Sequence, residues 1–507
     1  MDESRIRDAI ELLEQLAGDQ ESFAELPDQV RTRLVVAAGQ LSRPDRYVRK
    51  ALSKALIRVR KKARKEAERS VLDQTGIRAL RREPVFRTPL AYPKMALAEP
   101  LRDDEGEVDE WAEAEARRDT GRVETPRHCY VCKADFHQLH HFYDQMCNAC
   151  AELNFAKREA SADLRGRVVF VTGARVKIGY QAAIKLLRAG AETIVATRFP
   201  RDAARRFARE ADAADWTHRL HIYGIDLRHT PSVEHLCRHL LDTQPRLDAL
   251  INNACQTVRR PGGWYDHVVE HEGEPALGLE AGFLERDRSL RGELGSGEGQ
   301  EIARTGLWRS SILAQVPLLA EDHERGSHLY PAGRLDQDLQ QVDLRDFNSW
   351  RMTLAEVPTA ELLEVQLVNA IAPFVLNARL RPLLAAVPTN DAHVVNVSAM
   401  EGQFYRRWKT DKHPHTNMAK AALNMMTRTS AADYIKDGIH MNSVDTGWVT
   451  DEDPQHHATR KTEVHGFHPP LDIIDGAARI VDPLFDGLNR GTHLWGLFLK
   501  DYKPAPW

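Results

Sequence analysis

The chain has 507 residues, a formal net charge of −4, 42% apolar residues and 28% charged residues. This length holds roughly two to four domains, and the composition is that of a globular protein, not a disordered one. The small net charge excludes a global basic field that would recruit nucleic acid. No run approaches the ~20 apolar residues of a membrane span, and the polar N-terminus has no apolar signal core. We therefore expect neither a membrane helix nor a secretion signal.

Residues 1–98 are predicted to form a helical N-terminal region. An apolar stripe at helical spacing starts at Ile6, and a second starts at Val48 in the very basic segment VRKALSKALIRVRKKARKEAER. Such a helix either contacts nucleic acid or an anionic surface, or has a solvated charged face or an acidic neighbour. The segment has no interleaved aromatic residues that could stack on bases, which favours the second interpretation. Acidic residues 99–124 are predicted to be a linker.

Two CxxC pairs follow, with 14 residues between them. Four thiolates at this spacing close a tetrahedral structural zinc site, so the pattern predicts a zinc-binding module over residues 125–160. The ligands are Cys129, Cys132, Cys147 and Cys150. The same segment holds four histidines that offer an alternative for one ligand: His128, His137, His140 and His141. Cysteines used for zinc rather than for disulfides favour a reducing, cytoplasmic location.

From Arg167 onward, strand patterns alternate with helix patterns, which predicts a Rossmann-like, doubly wound parallel α/β sheet. The first strand runs into a glycine-containing turn and a helix, an arrangement that points backbone N–H groups at a diphosphate. Polar residues follow successive strands at the sheet edge where open α/β folds bind ligands. The predicted strands are 168–171, 193–196, 220–225, 247–251, 393–397 and 439–444, with helices around 361–380 and 417–434.

Five motifs in this order resemble those of the short-chain dehydrogenase/reductase family. They are TGARVKIG at 172–179, INNA at 251–254, NVSAMEG at 396–402, KAALNMMTRTSAADY at 420–434 and VDTGWVT at 444–450. The resemblance covers about 165–502 and implies an oxidoreductase that transfers a hydride between a nicotinamide and a small carbonyl or alcohol substrate.

The resemblance also implies a role for each matching residue. Ser398 would orient the substrate carbonyl, Lys420 the ribose, and Asn369 would hold the proton relay in place. The implied cofactor-binding residues are Thr172, Gly173, Arg175, Lys177, Ile178, Gly179, Arg198, Asp226, Leu227, Asn253, Ala254, Lys420, Thr446, Gly447 and Thr450.

Two positions depart from the family pattern. Lys177 replaces the middle glycine of the turn, so its side chain must stay clear of the diphosphate, where its ammonium adds charge to a phosphate contact. Thr416 stands where the family has its catalytic tyrosine, and a threonine hydroxyl does not ionise near neutral pH.

Three nearby residues are candidate substitutes for the missing tyrosine. Tyr405 lies between the serine and lysine motifs, and His413 and His415 titrate in the useful range. Alternatively these residues belong to a surface loop. The protein would then be a catalytically silent nucleotide-binding protein with a regulatory or interaction role.

The cofactor choice follows from the end of the second strand. Arg198 stands there without a neighbouring Asp or Glu, which favours NADP(H) over NAD(H) because an arginine accommodates a 2′-phosphate. Arg175, Lys177 and Arg201 add positive charge. Cys255 has no evident charge partner, so we expect it to be a packing residue.

An insert at about 256–357 is much longer than the family usually has, which favours a lid, a partner surface or both. Its Gly-rich centre, RGELGSGEGQE, is predicted to be disordered, whereas Trp264, Tyr265 and Trp308 indicate an ordered part. The sequence leaves open a homo-oligomer and a protein partner at the N-terminal helices or at the insert.

Overall fold

The computed structural model describes residues 2–89, 121–293, 310–405 and 409–507. The chain divides into two compact units, Met1–Val71 and Leu72–Trp507. Most of the predicted acidic linker, most of the Gly-rich centre of the insert, and Trp308 lie outside the described residues.

The first unit is helical, with α1 (Glu3–Gly18), α2 (Gln20–Ala24), α3 (Asp28–Ser42) and the long α4 (Arg46–Leu72). The side chains of Asp2 and Asp19 accept backbone N–H groups at the starts of α1 and α2, which satisfies donors that a helix leaves free. None of the side chains of α1 to α3 is buried. The apolar stripe of α4 is also about half exposed at Val48, Leu52 and Leu56.

The second unit begins with α5 (Gly76–Arg82) and a small cysteine module. The module consists of the antiparallel strands β1 (Arg122–His128) and β2 (Asp135–Gln138) and helix α6 (Asn148–Glu159).

An eight-stranded sheet follows, and it confirms the predicted Rossmann-like fold. The spatial order is β10-β9-β8-β7-β6-β3-β4-β5, and all neighbours are parallel except β9 and β10. The strands are β3 (Val168–Thr172), β4 (Glu192–Thr197), β5 (Leu220–Gly224), β6 (Ala249–Asn252), β7 (Ala392–Ser398), β8 (Ile439–Asp445), β9 (Phe498–Lys500) and β10 (Lys503–Ala505).

Helices cover both faces of the sheet, and each face has its own apolar core. Val169 and Val171 of β3 point into one core, whereas Val168 and Phe170 point into the other, as the two-residue period of a strand requires. The main layer helices are α7 (Lys177–Arg188), α8 (Pro200–Ala208), α9 (Ala213–Trp216), α10 (Thr230–Thr243), α15 (Thr359–Gln366), α16 (Ala372–Ala385), α17 (Pro414–Tyr434), α18 (Gln455–His465) and α19 (Ile473–Arg490). The insert contributes α11 (Asp266–Glu272), α12 (Gly278–Phe283), α13 (Glu285–Glu293) and α14 (Ser310–Leu313).

One helical stretch among the described residues, Thr359–Ala385, is apolar and long enough to cross a membrane by length and composition. This corrects the expectation that no such stretch exists. Leu376 and Leu380 of this stretch lie in an apolar core against the sheet, and Glu361 and Asn369 are buried polar residues. A core helix of an α/β sheet passes the same test of length and composition.

A buried ion network joins the cysteine module to α19. The guanidinium of Arg158 on α6 donates to both carboxylate oxygens of Asp472 at 2.6 and 2.7 Å, and to Asp475 at 3.0 Å. Tyr143 donates its phenol proton to Asp475. Asp472 and Asp475 also form the capping box of α19. The same two carboxylates therefore stabilise the start of α19 and pair with the guanidinium of Arg158.

A second arginine extends the network. Arg479 is nearly fully buried and donates to Asn154 at 2.5 Å and to Asp501 at 3.0 Å. Burial opposes the charge of Arg158, yet Asp472 and Asp475 hold the pKa of Arg158 above its usual value. The same pairing lowers the pKa of Asp472.

We expect Arg158→Ala to destabilise the second unit by about 3–5 kcal/mol, because it leaves two buried carboxylates without their cation. Urea unfolding followed by circular dichroism measures this change. Arg165→Ala is the matched control, since its pair with Asp163 is largely exposed and contributes little. Equal midpoints for the two variants would contradict a stabilising role for the network.

Candidate active site

The turn between β3 and α7 packs closely against the segment after β6. Gly173 has φ +71°, and a Cβ there would lie 2.7 Å from the Cα of Ala254. A Cβ on Gly179 would lie 2.2 Å from Nδ2 of Asn253. That Nδ2 donates to the carbonyl oxygens of Thr172 and Gly173 at 3.0 and 3.1 Å. The turn therefore needs glycine at both positions, and it brings five of the predicted cofactor-binding residues together.

Lys177 has φ +55°, a left-handed conformation that costs a residue other than glycine about 1–2 kcal/mol. The residue therefore keeps the backbone shape of the glycine that the family uses there. Burial opposes its charge, but Glu452, Asp338 and Asp336 raise the pKa of the Lys177 amine. These carboxylates offset the positive charge that we expected it to direct at a phosphate. Next to it, the side chain of Ile178 lies close to Gly476 of α19.

The end of β4 carries the predicted Arg198. Its Nη2 donates to the phenol oxygen of Tyr265 at 2.9 Å, and the guanidinium lies 5.0 Å from the centre of that ring. Arg175, in contrast, pairs with Asp202 at 2.6 Å and with Gln340 at 2.7 Å. The charge of Arg175 is therefore compensated within the protein, whereas Arg198 is held by a neutral group.

Asp226, at the end of β5, is nearly fully buried and is bound by Arg228, two residues further on. Burial raises its pKa, but Arg228 more than offsets this, so the pKa of Asp226 is lowered. Arg228 also pairs with Glu364 at 2.5 Å. The carboxylate of this predicted cofactor-binding residue is thus engaged by a neighbouring cation. Leu227 between them is buried, and Arg201 donates to a carbonyl of the insert.

Two buried hydroxyls lie at the catalytic positions implied by the family. Within the described residues, neither Ser398 Oγ nor Thr416 Oγ1 has a protein hydrogen-bond partner. Lys420, one helical turn after Thr416, is buried and donates to the carbonyl of Val397 at 2.7 Å. Unpaired buried hydroxyls are costly, so this end of β7 is suited to bind a polar group.

Asn369 lies in a π-helical turn, Leu367–Ile371, a feature that is frequent at functional sites. Its Oδ1 accepts from the backbone N–H of Gln256 at 2.7 Å, and its Nδ2 donates to the Gln256 carbonyl at 3.1 Å. Asn369 therefore fixes the chain where the insert begins.

The three candidate proton carriers differ sharply in exposure. Tyr405 is 95% exposed. His413 is buried and stacks on Trp350 with ring centres 3.9 Å apart. His415 is 1% exposed, and its Nε2 lies 3.4 Å from Oε1 of Glu361, which is equally buried. Sequence reasoning missed Glu361, although a carboxylate within an apolar helix is a signal that could have found it.

The loop after β8 contacts the cysteine module. Gly447 has φ +75°, and the phenol oxygen of Tyr130 accepts the backbone N–H of Trp448 at 3.0 Å. Thr446 donates to the Gly447 carbonyl at 3.4 Å, and Thr450 donates to Glu452 at 2.7 Å. Tyr130 lies between the two cysteines of the first pair. The module therefore adjoins the loop that, by the family resemblance, closes over a nicotinamide.

The four cysteine sulfurs of the module lie within 4.8 Å of one another. The Sγ atoms of Cys132 and Cys147 are 3.6 Å apart. Two sulfurs of a tetrahedral zinc site with Zn–S bonds of about 2.3 Å lie about 3.8 Å apart, which is close to this distance. Burial raises the pKa of Cys129, but backbone N–H groups of Cys147 and Cys132 lower it to about 7. This donor set fits zinc. Cys255, outside the module, is exposed, which corrects the expectation that it is a packing residue.

The histidines of the module have other partners. His137 contacts the Val123 carbonyl at 3.0 Å, and His128 pairs with Asp135. Nδ1 of His140 accepts from the backbone N–H of Phe142 at 3.1 Å. His141 contacts aromatic rings.

Part of the insert covers the carboxyl end of β4. Trp264 and Tyr265 are buried against Phe199 in a small apolar cluster. Glu272 accepts the backbone N–H groups at the start of α8, and burial raises its pKa to about 7. The expectation that Trp264 and Tyr265 mark an ordered part agrees with this packing.

The fold defines an α/β protein of the Rossmann class. Residues 167–266 match the family model for short chain dehydrogenase, and residues 346–465 match the model described as Enoyl-(Acyl carrier protein) reductase. The uncharacterized protein R665 of Acanthamoeba polyphaga mimivirus is 30% identical over 370 residues, which cover 71% of each chain. The chain belongs to the short-chain dehydrogenase/reductase family of oxidoreductases.

Two further proteins are similar over different shares of their length. Dehydrogenase/reductase SDR family member 13 of Bos taurus is 35% identical over 104 residues, 20% of this chain and 27% of that protein. The solved dehydrogenase/reductase of Sinorhizobium meliloti is 18% identical with a TM-score of 0.41, covering 68% of this chain and 96% of that chain.

Proposed function

We propose that this protein is an NADP(H)-dependent oxidoreductase that transfers a hydride between a nicotinamide and a carbonyl or hydroxyl carbon of a small substrate. The observation that carries the proposal is that the buried hydroxyls of Ser398 and Thr416 have no hydrogen-bond partner within the described part of the chain, where Lys420 donates to the carbonyl of Val397, the residue before Ser398. A substrate oxygen between them would restore the hydrogen bonds that the two hydroxyls lack.

The chain has suitable groups for the dinucleotide. NADP(H), when bound, supplies or accepts the hydride. The backbone N–H groups of the turn at Gly173 and the start of α7 would hold the diphosphate. Arg198 would hold the 2′-phosphate, exchanging the Tyr265 phenol for a charged partner, and Lys420 would hold the ribose.

His415 is the proton carrier that we propose in place of the tyrosine. The hydroxyl of Thr416 positions the substrate oxygen but does not ionise near neutral pH. His415 is its immediate chain neighbour, and its Nε2 lies 3.4 Å from Oε1 of the buried Glu361. The exposure of Tyr405 argues against a role in a water-excluded site.

Titration with NADPH and NADH, followed by nicotinamide fluorescence, tests the cofactor. We expect tighter binding of NADPH, and we expect Arg198→Ala to weaken NADPH binding about 10- to 100-fold with little change for NADH. Loss of a charged hydrogen bond of about 1.5–3 kcal/mol sets that range. Arg205→Ala is the matched control, because Arg205 pairs with Glu274 of the insert. Equal binding of both cofactors by the unaltered protein would refute the assignment of Arg198.

A screen of carbonyl substrates with NADPH tests turnover. We expect His415→Gln to lower kcat about 100-fold or more, the contribution of a general acid, with unchanged NADPH affinity. Tyr405→Phe is the comparison, and a loss of turnover in that variant alone would assign the proton to Tyr405 instead. NADPH binding without turnover of any carbonyl by the unaltered protein would favour the catalytically silent alternative.

We also propose that the four cysteines bind one structural Zn²⁺ ion, supported by the fit of their sulfurs to a tetrahedral site. We expect Cys132→Ser to remove one equivalent of zinc, measured by elemental analysis, and to lower the melting temperature, because metal binding contributes to folding. Cys255→Ser is the control with an equally exposed thiol. Full zinc content in Cys132→Ser would show that this site does not hold the metal.

A further inference from the structure

Three histidines lie together near the amino ends of β7 and β8, at the sheet edge opposite Ser398. His393 and His440 are the second residues of their strands and are direct neighbours in the parallel register. Their side chains therefore point to the same face of the sheet. His493 comes from the segment between α19 and β9. One imidazole nitrogen from each histidine lies within 4.8 Å of the other two.

The nitrogen positions resemble those around one metal ion. Nε2 of His393 lies 2.9 Å from Nδ1 of His493. Metal–nitrogen bonds of about 2.0–2.1 Å place two ligating nitrogens of a tetrahedral site about 3.3 Å apart. A small rotation of either ring therefore brings these two nitrogens to the distance that one metal ion requires. Nδ1 of His440 lies 3.3 Å from the Ala392 carbonyl. A proton on that Nδ1 leaves Nε2 as the ligating atom, as in many histidine metal sites.

The chain makes room for this cluster, and one of its ring nitrogens has no protein hydrogen-bond partner in the part of the chain that the structure describes. A Cβ on Gly487 would lie 2.5 Å from Nδ1 of His493, so only glycine permits His493 to approach. His393 is fully buried, and its Nδ1 has no protein hydrogen-bond partner among the described residues. His493 is partly exposed, which gives an ion access from solvent.

The charges around the cluster are compatible with a cation. Burial lowers the pKa of all three histidines, and the neighbouring rings lower those of His393 and His440 further. Arg167 and Asp391 also face the cluster. Arg167 donates to Asp391 at 2.8 and 3.0 Å and to Asp248 at 3.3 Å, so two carboxylates compensate its charge.

We propose that His393, His440 and His493 bind one divalent transition-metal ion, Zn²⁺ or an ion of similar ligand preference, with solvent completing its coordination. Imidazole ligands suit Zn²⁺, Ni²⁺ and Cu²⁺ rather than Mg²⁺ or Ca²⁺. The ion would fasten β7 and β8 to the segment that leads into β9. This site is independent of the cofactor and of the cysteine module.

Titration of the full-length protein with Co²⁺ tests the site, because cobalt bound to nitrogen lacks the thiolate charge-transfer absorption of cobalt bound to cysteine. We expect one equivalent of Co²⁺ whose visible bands appear without that absorption. This Co²⁺ equivalent should be lost in the double variant His440→Gln/His493→Gln. The control is the double variant His456→Gln/His457→Gln, which removes two adjacent histidines of α18 and should retain the bound Co²⁺. An excess of Zn²⁺ should displace it.

Two outcomes would overturn the proposal. One is that the unaltered protein binds no Co²⁺ equivalent that lacks the thiolate absorption. The other is that the variant without His440 and His493 still binds that equivalent. Should that double variant fail to fold, His493→Gln alone, in a segment outside the helices and strands, decides the question. It is expected to weaken Co²⁺ binding at least tenfold.

Discussion

The second unit depends most on one buried ion pair, that of Arg158 with Asp472 and Asp475. A guanidinium that is nine-tenths or more buried is tolerated only where carboxylates surround it, because removing a charge from water costs several kcal/mol. Here those carboxylates are the cap of α19, and α19 packs on α7, the helix of the glycine turn. The cysteine module, the start of α19 and the nucleotide turn are therefore held in one arrangement. Separating them would break the hydrogen-bonded ion pairs between Arg158 and the two carboxylates.

Charged side chains also determine the electrostatic environment of the glycine turn. Lys177 adopts a backbone conformation that glycine would adopt without strain, and the charges of three carboxylates raise the pKa of its amine. Two of these, Asp336 and Asp338, come from the insert. Burial raises the pKa of Asp338 to about 6. The insert thus supplies two carboxylates that act electrostatically on the lysine of the glycine turn.

The sequence predicted the local features well. The strands of the sheet, the glycine turn and the polar strand ends depend on short-range patterns, and the six predicted strands lie within two residues of those observed. It could not predict partners distant in the chain, such as Glu361 for His415 or Tyr130 for Trp448, because no periodicity encodes a tertiary contact. The expectation about apolar stretches was wrong for a related reason. A helix buried against a parallel sheet is apolar on several sides, whatever solvent surrounds the protein.

The hydrogen bond between Tyr130 and the N–H of Trp448 has a thermodynamic consequence. The conformation of the segment after β8 and the folded state of the cysteine module share this contact, so their equilibria are linked and the coupling is reciprocal. Any agent that tightens the module shifts the segment toward its present conformation, and any ligand that holds the segment protects the module by the same free energy. A small domain can in this way shift the conformational equilibrium of a neighbouring segment through a single hydrogen bond.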